Sequence, residues 1–118
     1  MESGARTPEE LETLFEDAFV TRDAAALQAM FADGAVLLAG SAEREARGPA
    51  AIGRCATALW AQDGIYVAAP RRVVQARDTA LVLGHQSINV LRRGAGGDWR
   101  YAIALLSIPD TIEMEEHR

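Results

Sequence analysis

The segment 79–108 holds two long apolar runs separated by Arg92-Arg93-Gly94-Ala95-Gly96-Gly97-Asp98, a pattern that calls for a β-hairpin and for a fold built around it. The first run places Leu81, Leu83, His85, Ser87, Asn89 and Leu91 at alternate positions, and the second does the same with Trp99, Tyr101, Ile103, Leu105 and Ser107. Paired so that Leu91 meets Trp99, the arms bring Asn89 opposite Tyr101, Ser87 opposite Ile103 and His85 opposite Leu105 on one face. Polar groups inside an apolar surface suit a ligand cavity. The alternate face, with Val82, Ile88, Val90, Ala102, Ala104, Leu106 and Ile108, is apolar as well. Three helices can cover only one face of a sheet, so the other predicts a two-fold homodimer.

Upstream, Thr7-Pro8-Glu9-Glu10 opens a helix with a capping threonine, a proline at the first helical position and a glutamate where a capping box needs it. Leu11, Leu14, Phe15, Ala18 and Phe19 then form one apolar stripe. Asp23 caps a second helix, whose Leu27, Met30 and Phe31 point inward and which Asp33-Gly34 ends. Residues 35–39 read as a short strand and 40–47 as a solvated loop. Gly48-Pro49 starts a third helix with a stripe of Ile52, Cys55, Ala56, Leu59 and Trp60, which Asp63-Gly64 stops. Residues 65–67 suggest a short strand, Pro70 interrupts, and 72–77 lead into the long hairpin. The pattern is that of a single α+β domain over 1–118, with 1–6 and 111–118 as flexible tails.

Composition narrows the chemistry. The chain of 118 residues is 49% hydrophobic, enough for a core of its own, and carries a formal charge of -5 with no basic stripe. Neither nucleic acid nor an anionic membrane is an expected partner. No apolar run reaches the length of a membrane span and the start lacks the apolar core of a signal peptide, which predicts a cytoplasmic protein. All 12 basic residues are arginines, so imine chemistry on a lysine is excluded. Cys55 is the single cysteine, and His85 and His117 are the only histidines, which leaves no disulfide and no zinc cluster. The glycines of 94–97 lie between two strands and not before a helix, so no phosphate loop is present. No cofactor and no metal are expected.

The order helix, helix, short strand, helix, meandering sheet is carried by three stretches. They are Asp23-Ala24-Ala25-Ala26-Leu27-Gln28-Ala29-Met30-Phe31-Ala32-Asp33-Gly34-Ala35-Val36, Arg47-Gly48-Pro49-Ala50-Ala51-Ile52 and Asp98-Trp99-Arg100-Tyr101. In these the chain resembles the nuclear transport factor 2-like superfamily over 8–108, and within it the bacterial SnoaL-like and ketosteroid isomerase-like branch. The resemblance implies three helices packed on a curved, mostly antiparallel sheet, a cone-like, cystatin-like roll with an apolar pocket, usually as a homodimer. A steroid isomerase of that kind has a carboxylate base where this chain has Ala39 and a helix-one tyrosine where it has Phe15. Relatives ending in a Trp-Arg-Tyr strand often carry an acid where this chain has Ala104. The family's pocket acids are therefore expected to be missing. Relatives also have a hairpin between the strand beginning near Ala80 and the strand ending near Leu91; here the two read as one run, leaving the sheet one hairpin short.

Within this frame His85 is the candidate catalytic residue, a group able to move protons near neutral pH. Trp60, Ser87, Asn89, Tyr101 and Ser107 are the candidate substrate-binding residues. Each has a plain structural counterpart: His85 as core or dimer contact, Asn89 and Tyr101 as a cross-strand pair satisfying each other, Ser87 and Ser107 as cavity wall, Trp60 as core. Cys55 reads as inert packing and Arg44, Arg47, Arg71 and Arg72 as a solvated rim. Two functions stay open. One is a small isomerase, cyclase or dehydratase acting on an apolar small molecule through His85; the other is a non-catalytic dimerising or carrier module with a vestigial pocket.

Overall fold

The computed structural model describes residues 4–39, 44–61, 70–84 and 87–106. Three helices, α1 (Pro8–Thr21), α2 (Ala24–Ala29) and α3 (Pro49–Ala61), lie against a sheet of six strands. The strands are β1 (Phe31–Ala39), β2 (Arg44–Arg47), β3 (Pro70–Ala76), β4 (Thr79–Gly84), β5 (Ser87–Arg93) and β6 (Trp99–Leu106). Their order across the sheet is β2-β1-β6-β5-β4-β3, antiparallel throughout except for the parallel β1–β6 pair. This is the expected α+β roll.

Helix α1 starts as its sequence requires. Thr7 accepts the Glu10 N–H on its hydroxyl (3.0 Å), and the Glu10 carboxylate turns back to accept the Arg6 N–H (2.8 Å). Arg22 ends the helix in the left-handed conformation at φ 57°, its N–H bonded to Phe19 O, while the Asp23 N–H reaches Ala18 O. Asp23 then caps α2 by accepting the Ala26 N–H (3.1 Å). The buried stripe of α1 runs Pro8, Leu11, Glu12, Phe15, Ala18 and Phe19, so an acid lies inside it. Ahead of the helix the expected tail is shorter at its inner end: Ala5 is buried and its carbonyl accepts the Trp99 N–H (2.9 Å). Residues 1–3 and the tail 111–118 lie outside the described residues, as does the short strand expected at 65–67.

The sheet departs from expectation in four places. Helix α2 stops at Ala29, because the Met30 carbonyl accepts the Tyr101 N–H (2.8 Å) and draws the chain into β1, so Phe31 is a strand residue. Gly34 does use a positive φ (75°), but within β1, where the register against β6 shifts between Phe31 and Val36. Part of the expected 40–47 loop is the edge strand β2. The supposed single run through 79–91 is two strands, for the chain reverses between Gly84 and Ser87 and pairs Leu83 with Ile88. The hairpin expected to be missing is therefore present.

That reversal changes which residues face inward. Ala80 and Val82 of β4 pair with Leu91 and Asn89 of β5, and all four are buried, whereas Leu81 and Ile88 are exposed. On the other arm Leu91 pairs with Tyr101 and Arg93 with Trp99, a register displaced from the expected one. Between Val90–Ile103 and Leu91–Tyr101 one extra residue, Ala102, is accommodated on β6. The extra residue inverts the alternation: Trp99 and Tyr101 face inward before it, Ala104 and Leu106 after it, and Ile103 and Leu105 point out. Asn89 and Ser87 thus pair with Ala104 and Leu106, not with Tyr101 and Ile103.

Candidate functional site

The inner face of the sheet is apolar except for a compact group of polar side chains, and an acid on α1 binds that group together. Asn89 donates its Nδ2 to Glu12 Oε2 (2.9 Å), and the Tyr101 hydroxyl donates to the same oxygen (2.9 Å). A longer contact runs from Asn89 Nδ2 to Ser87 Oγ (3.4 Å). Glu12 and Tyr101 are 1% exposed, Asn89 0% and Ser87 6%, so the cluster is shut off from water. Burying a carboxyl group costs several kcal/mol, on the order of 2–7 even for neutral polar groups, unless donors meet it, and two converge here on one oxygen.

Each member is held by its own element. The β6 bulge turns Tyr101 inward, where its ring packs on Phe31 (centroids 5.1 Å) and edge-on to Phe15 (5.3 Å). Phe15 stacks in turn toward Phe19 (6.0 Å), and Phe19 meets Trp60 edge-on (5.7 Å). Trp60 sits in the last turn of α3, 5% exposed, and its Nε1 has no hydrogen-bond partner among the described residues; the same is true of Asn89 Oδ1. Four of the six predicted site residues, Trp60, Ser87, Asn89 and Tyr101, accordingly line one interior. Asn89 and Tyr101 do not satisfy each other as a cross-strand pair; they converge through Glu12. His85 and Ser107 lie outside the described residues.

Glu12 is the residue the sequence reading missed, and its signal was present. It lies one turn before Phe15 and two before Phe19, at the edge of the apolar stripe. An acid at that edge, facing an Asn, a Tyr and a Ser that each need a partner in a core, is a complementary pair of anomalies. Positions 39 and 104 are both alanine, and the interior acid comes from α1 instead.

A concavity among the described residues lies elsewhere. A cleft of about 670 Å³ at the tip of the β5–β6 hairpin is lined by Asp33, Asp78, Arg92, Arg93, Asp98 and Arg100 among others. Two of its three arginines are engaged: Arg93 pairs with Asp78 (2.6 Å) and Arg100 with Asp98 (3.1 Å). Among the described residues no three metal-ligating side chains come together, and no helix is long and apolar enough to cross a membrane.

Residues 11–108 match the SnoaL-like domain family. This chain belongs to it. None of the curated proteins matches the chain. Among solved structures it is similar to a candidate calcium/calmodulin-dependent protein kinase type II association domain from Thiobacillus denitrificans, with a TM-score of 0.75 at 20% identity over 92% of this chain and 100% of that one. A ketosteroid isomerase-like protein from Erwinia carotovora atroseptica superposes with a TM-score of 0.71 at 22% identity over 86% and 93%. A nuclear transport factor 2-like protein of unknown function from Pseudomonas putida gives 0.66 at 19% identity over 92% and 88%. At these identities what is shared is the fold, the nuclear transport factor 2-like roll also described as cystatin-like. Within this SnoaL-like domain the sheet carries the polar row, and α1 supplies the acid.

Proposed function

We propose that this SnoaL-like domain binds a small apolar molecule between α1, α3 and the inner face of the sheet, and that it moves a proton on that molecule. The observation that carries the reading is the Glu12–Tyr101–Asn89 cluster, a buried carboxyl group held by two donors at 2.9 Å each. A carboxylate so placed can take a proton from one position of a ligand and return it at another, which is isomerase, cyclase or dehydratase chemistry needing no metal or cofactor. His85, next to Gly84 at the end of β4, is the second proton-transfer group of this reading. The saturation of Glu12 Oε2 by two protein donors favours the competing reading, a non-catalytic carrier.

The outer face of the sheet supports a two-fold homodimer. Two cross-strand rows run along it: Val74, Leu81, Val90, Ile103 and Val36, and beside them Arg72, Leu83, Ile88, Leu105, Leu38 and Glu45. The second row begins with a cation and ends with an anion. A two-fold axis parallel to the strands lays each Arg72 over the partner copy's end of the row that carries Glu45, a self-complementary arrangement.

The test uses planar apolar compounds. Ser87→Phe fills the interior and should abolish binding in a folded dimer, whereas in a solid core the same change overpacks and lowers stability by roughly 1–3 kcal/mol. Glu12→Gln and His85→Gln, assayed by ligand deuteration from D2O, separate enzyme from carrier. Exchange lost with binding retained means proton transfer; no exchange in the unaltered protein means a carrier.

A further inference from the structure

The cleft at the tip of the β5–β6 hairpin holds a cation that nothing neutralises. Thr79, Arg92 and Arg100 are direct cross-strand partners on β4, β5 and β6. Their chain neighbours Ala80, Leu91 and Tyr101 are buried, so alternation puts all three side chains on the outer face, where they line the cleft. Two arginines directly opposite each other repel. Arg100 is partly neutralised, through its Nε alone, by Asp98 (3.1 Å). Arg92 has no ion pair or hydrogen bond among the described residues, and neither has the Thr79 hydroxyl. The frame around this row is fixed. Arg93 gives its Nε (2.9 Å) and Nη2 (2.6 Å) to one oxygen of Asp78, and its backbone N–H to the Asp78 carbonyl (2.8 Å). The Gly94 N–H closes the hairpin tip on the Asp98 carbonyl (2.9 Å).

We propose that this cleft binds a phosphate monoester with a hydroxyl-rich body, a sugar or polyol phosphate, held by Arg92, Arg100 and Thr79. A phosphate dianion offsets both arginines, and its three terminal oxygens suffice for two guanidinium groups and a hydroxyl; a carboxylate has two oxygens, which one guanidinium fork fills. The cleft volume of about 670 Å³ far exceeds a phosphate group, so the remainder receives the body of the ester. That remainder is lined by Asp33, which has no partner among the described residues, and by Asp78, whose second carboxylate oxygen Arg93 leaves free. Carboxylates accept from hydroxyls and repel further phosphate groups, which selects a polyol body over a polyphosphate. The formal charge of -5 disfavours a headgroup on an anionic membrane, so the ester is one free in solution. This site lies on the outer face of the sheet, apart from the interior that holds Glu12, and stands independently of the proton-transfer reading.

The probes are glucose 6-phosphate, inorganic phosphate, gluconate and glucose, each titrated against the full chain by calorimetry at low ionic strength, where exposed charges are least screened. Glucose 6-phosphate should bind about tenfold more tightly than inorganic phosphate or gluconate, and glucose should give no heat of binding. Arg92→Gln should weaken glucose 6-phosphate by about tenfold while the unliganded protein melts at the same temperature or higher, since the substitution relieves the repulsion from Arg100. Asp33→Ala removes an acceptor for the sugar hydroxyls and should bring glucose 6-phosphate down toward inorganic phosphate. Gluconate that binds as tightly as glucose 6-phosphate overturns the phosphate assignment, and inorganic phosphate that binds as tightly overturns the polyol body. Binding of none of the four overturns the site itself, as does an Arg92→Gln protein of unchanged affinity. Should a variant fail to fold, the comparison of the four probes on the unaltered chain still decides.

Discussion

Glu12→Leu removes the oxygen that accepts both the Asn89 amide and the Tyr101 hydroxyl, each at 2.9 Å in an interior closed to solvent. Depriving each buried donor of that acceptor costs about 1–3 kcal/mol. Leucine returns about 1–3 kcal/mol through its own apolar burial, so the net loss should be about 2 kcal/mol. Tyr101→Phe alone removes one donor from the carboxylate and should cost about 1–2 kcal/mol. Once Tyr101 is Phe, Glu12→Leu no longer strands the Tyr101 hydroxyl, and its cost should fall by about 1–2 kcal/mol, which is the coupling between the two residues. Urea unfolding followed by circular dichroism, at one fixed protein concentration, measures all four corners of the cycle. Effects that add to within about 0.5 kcal/mol would refute the shared-acceptor account, and so would a Glu12→Leu protein more stable than the parent.

Two further expectations concern other parts of the fold. Ile103 is 43% exposed within the outer apolar row, between Val90 and Val36; Ile103→Arg should give a folded monomer by light scattering, and a persisting dimer would place the interface elsewhere. Arg77 turns the β3–β4 hairpin at φ 56°, a left-handed conformation that glycine adopts freely, so Arg77→Gly should raise stability by about 1 kcal/mol, read as a melting temperature about 4 °C higher. No rise would mean that other Arg77 contacts offset the strain.

The helices were legible because their signals are local. Thr7, Asp23 and Gly48-Pro49 announce starts that the structure uses, and the stripes of α1 and α3 face the core as spaced. The sheet was harder, since strand parity is reset by single residues whose effect depends on the neighbouring strand. Ala102 looks like any other apolar strand residue, yet as the bulge it sends Ile103 and Leu105 outward. The reversal between Gly84 and Ser87 offers no Asn-Gly or Asp-Gly signal, and two apolar strands read as one. The polar row at Ser87, Asn89 and Tyr101 was readable from alternation within each strand. Its acid was not, because Glu12 belongs to the site only through tertiary packing between residues 77 positions apart in the Asn89 contact.

The central claim is that the interior around Glu12 receives a ligand. It is tested most directly by a ¹H–¹⁵N spectrum of the protein during titration with a planar apolar compound, 2-methylnaphthalene; the spectrum resolves the indole N–H of Trp60 from that of Trp99 and shows the side-chain amide of Asn89. The account predicts that the Trp60 indole and the Asn89 amide both shift with one saturating midpoint while the Trp99 indole stays in place. Shifts confined to Arg92, Arg93 and the hairpin tip, with Trp60 and Asn89 unmoved at saturation, would contradict it.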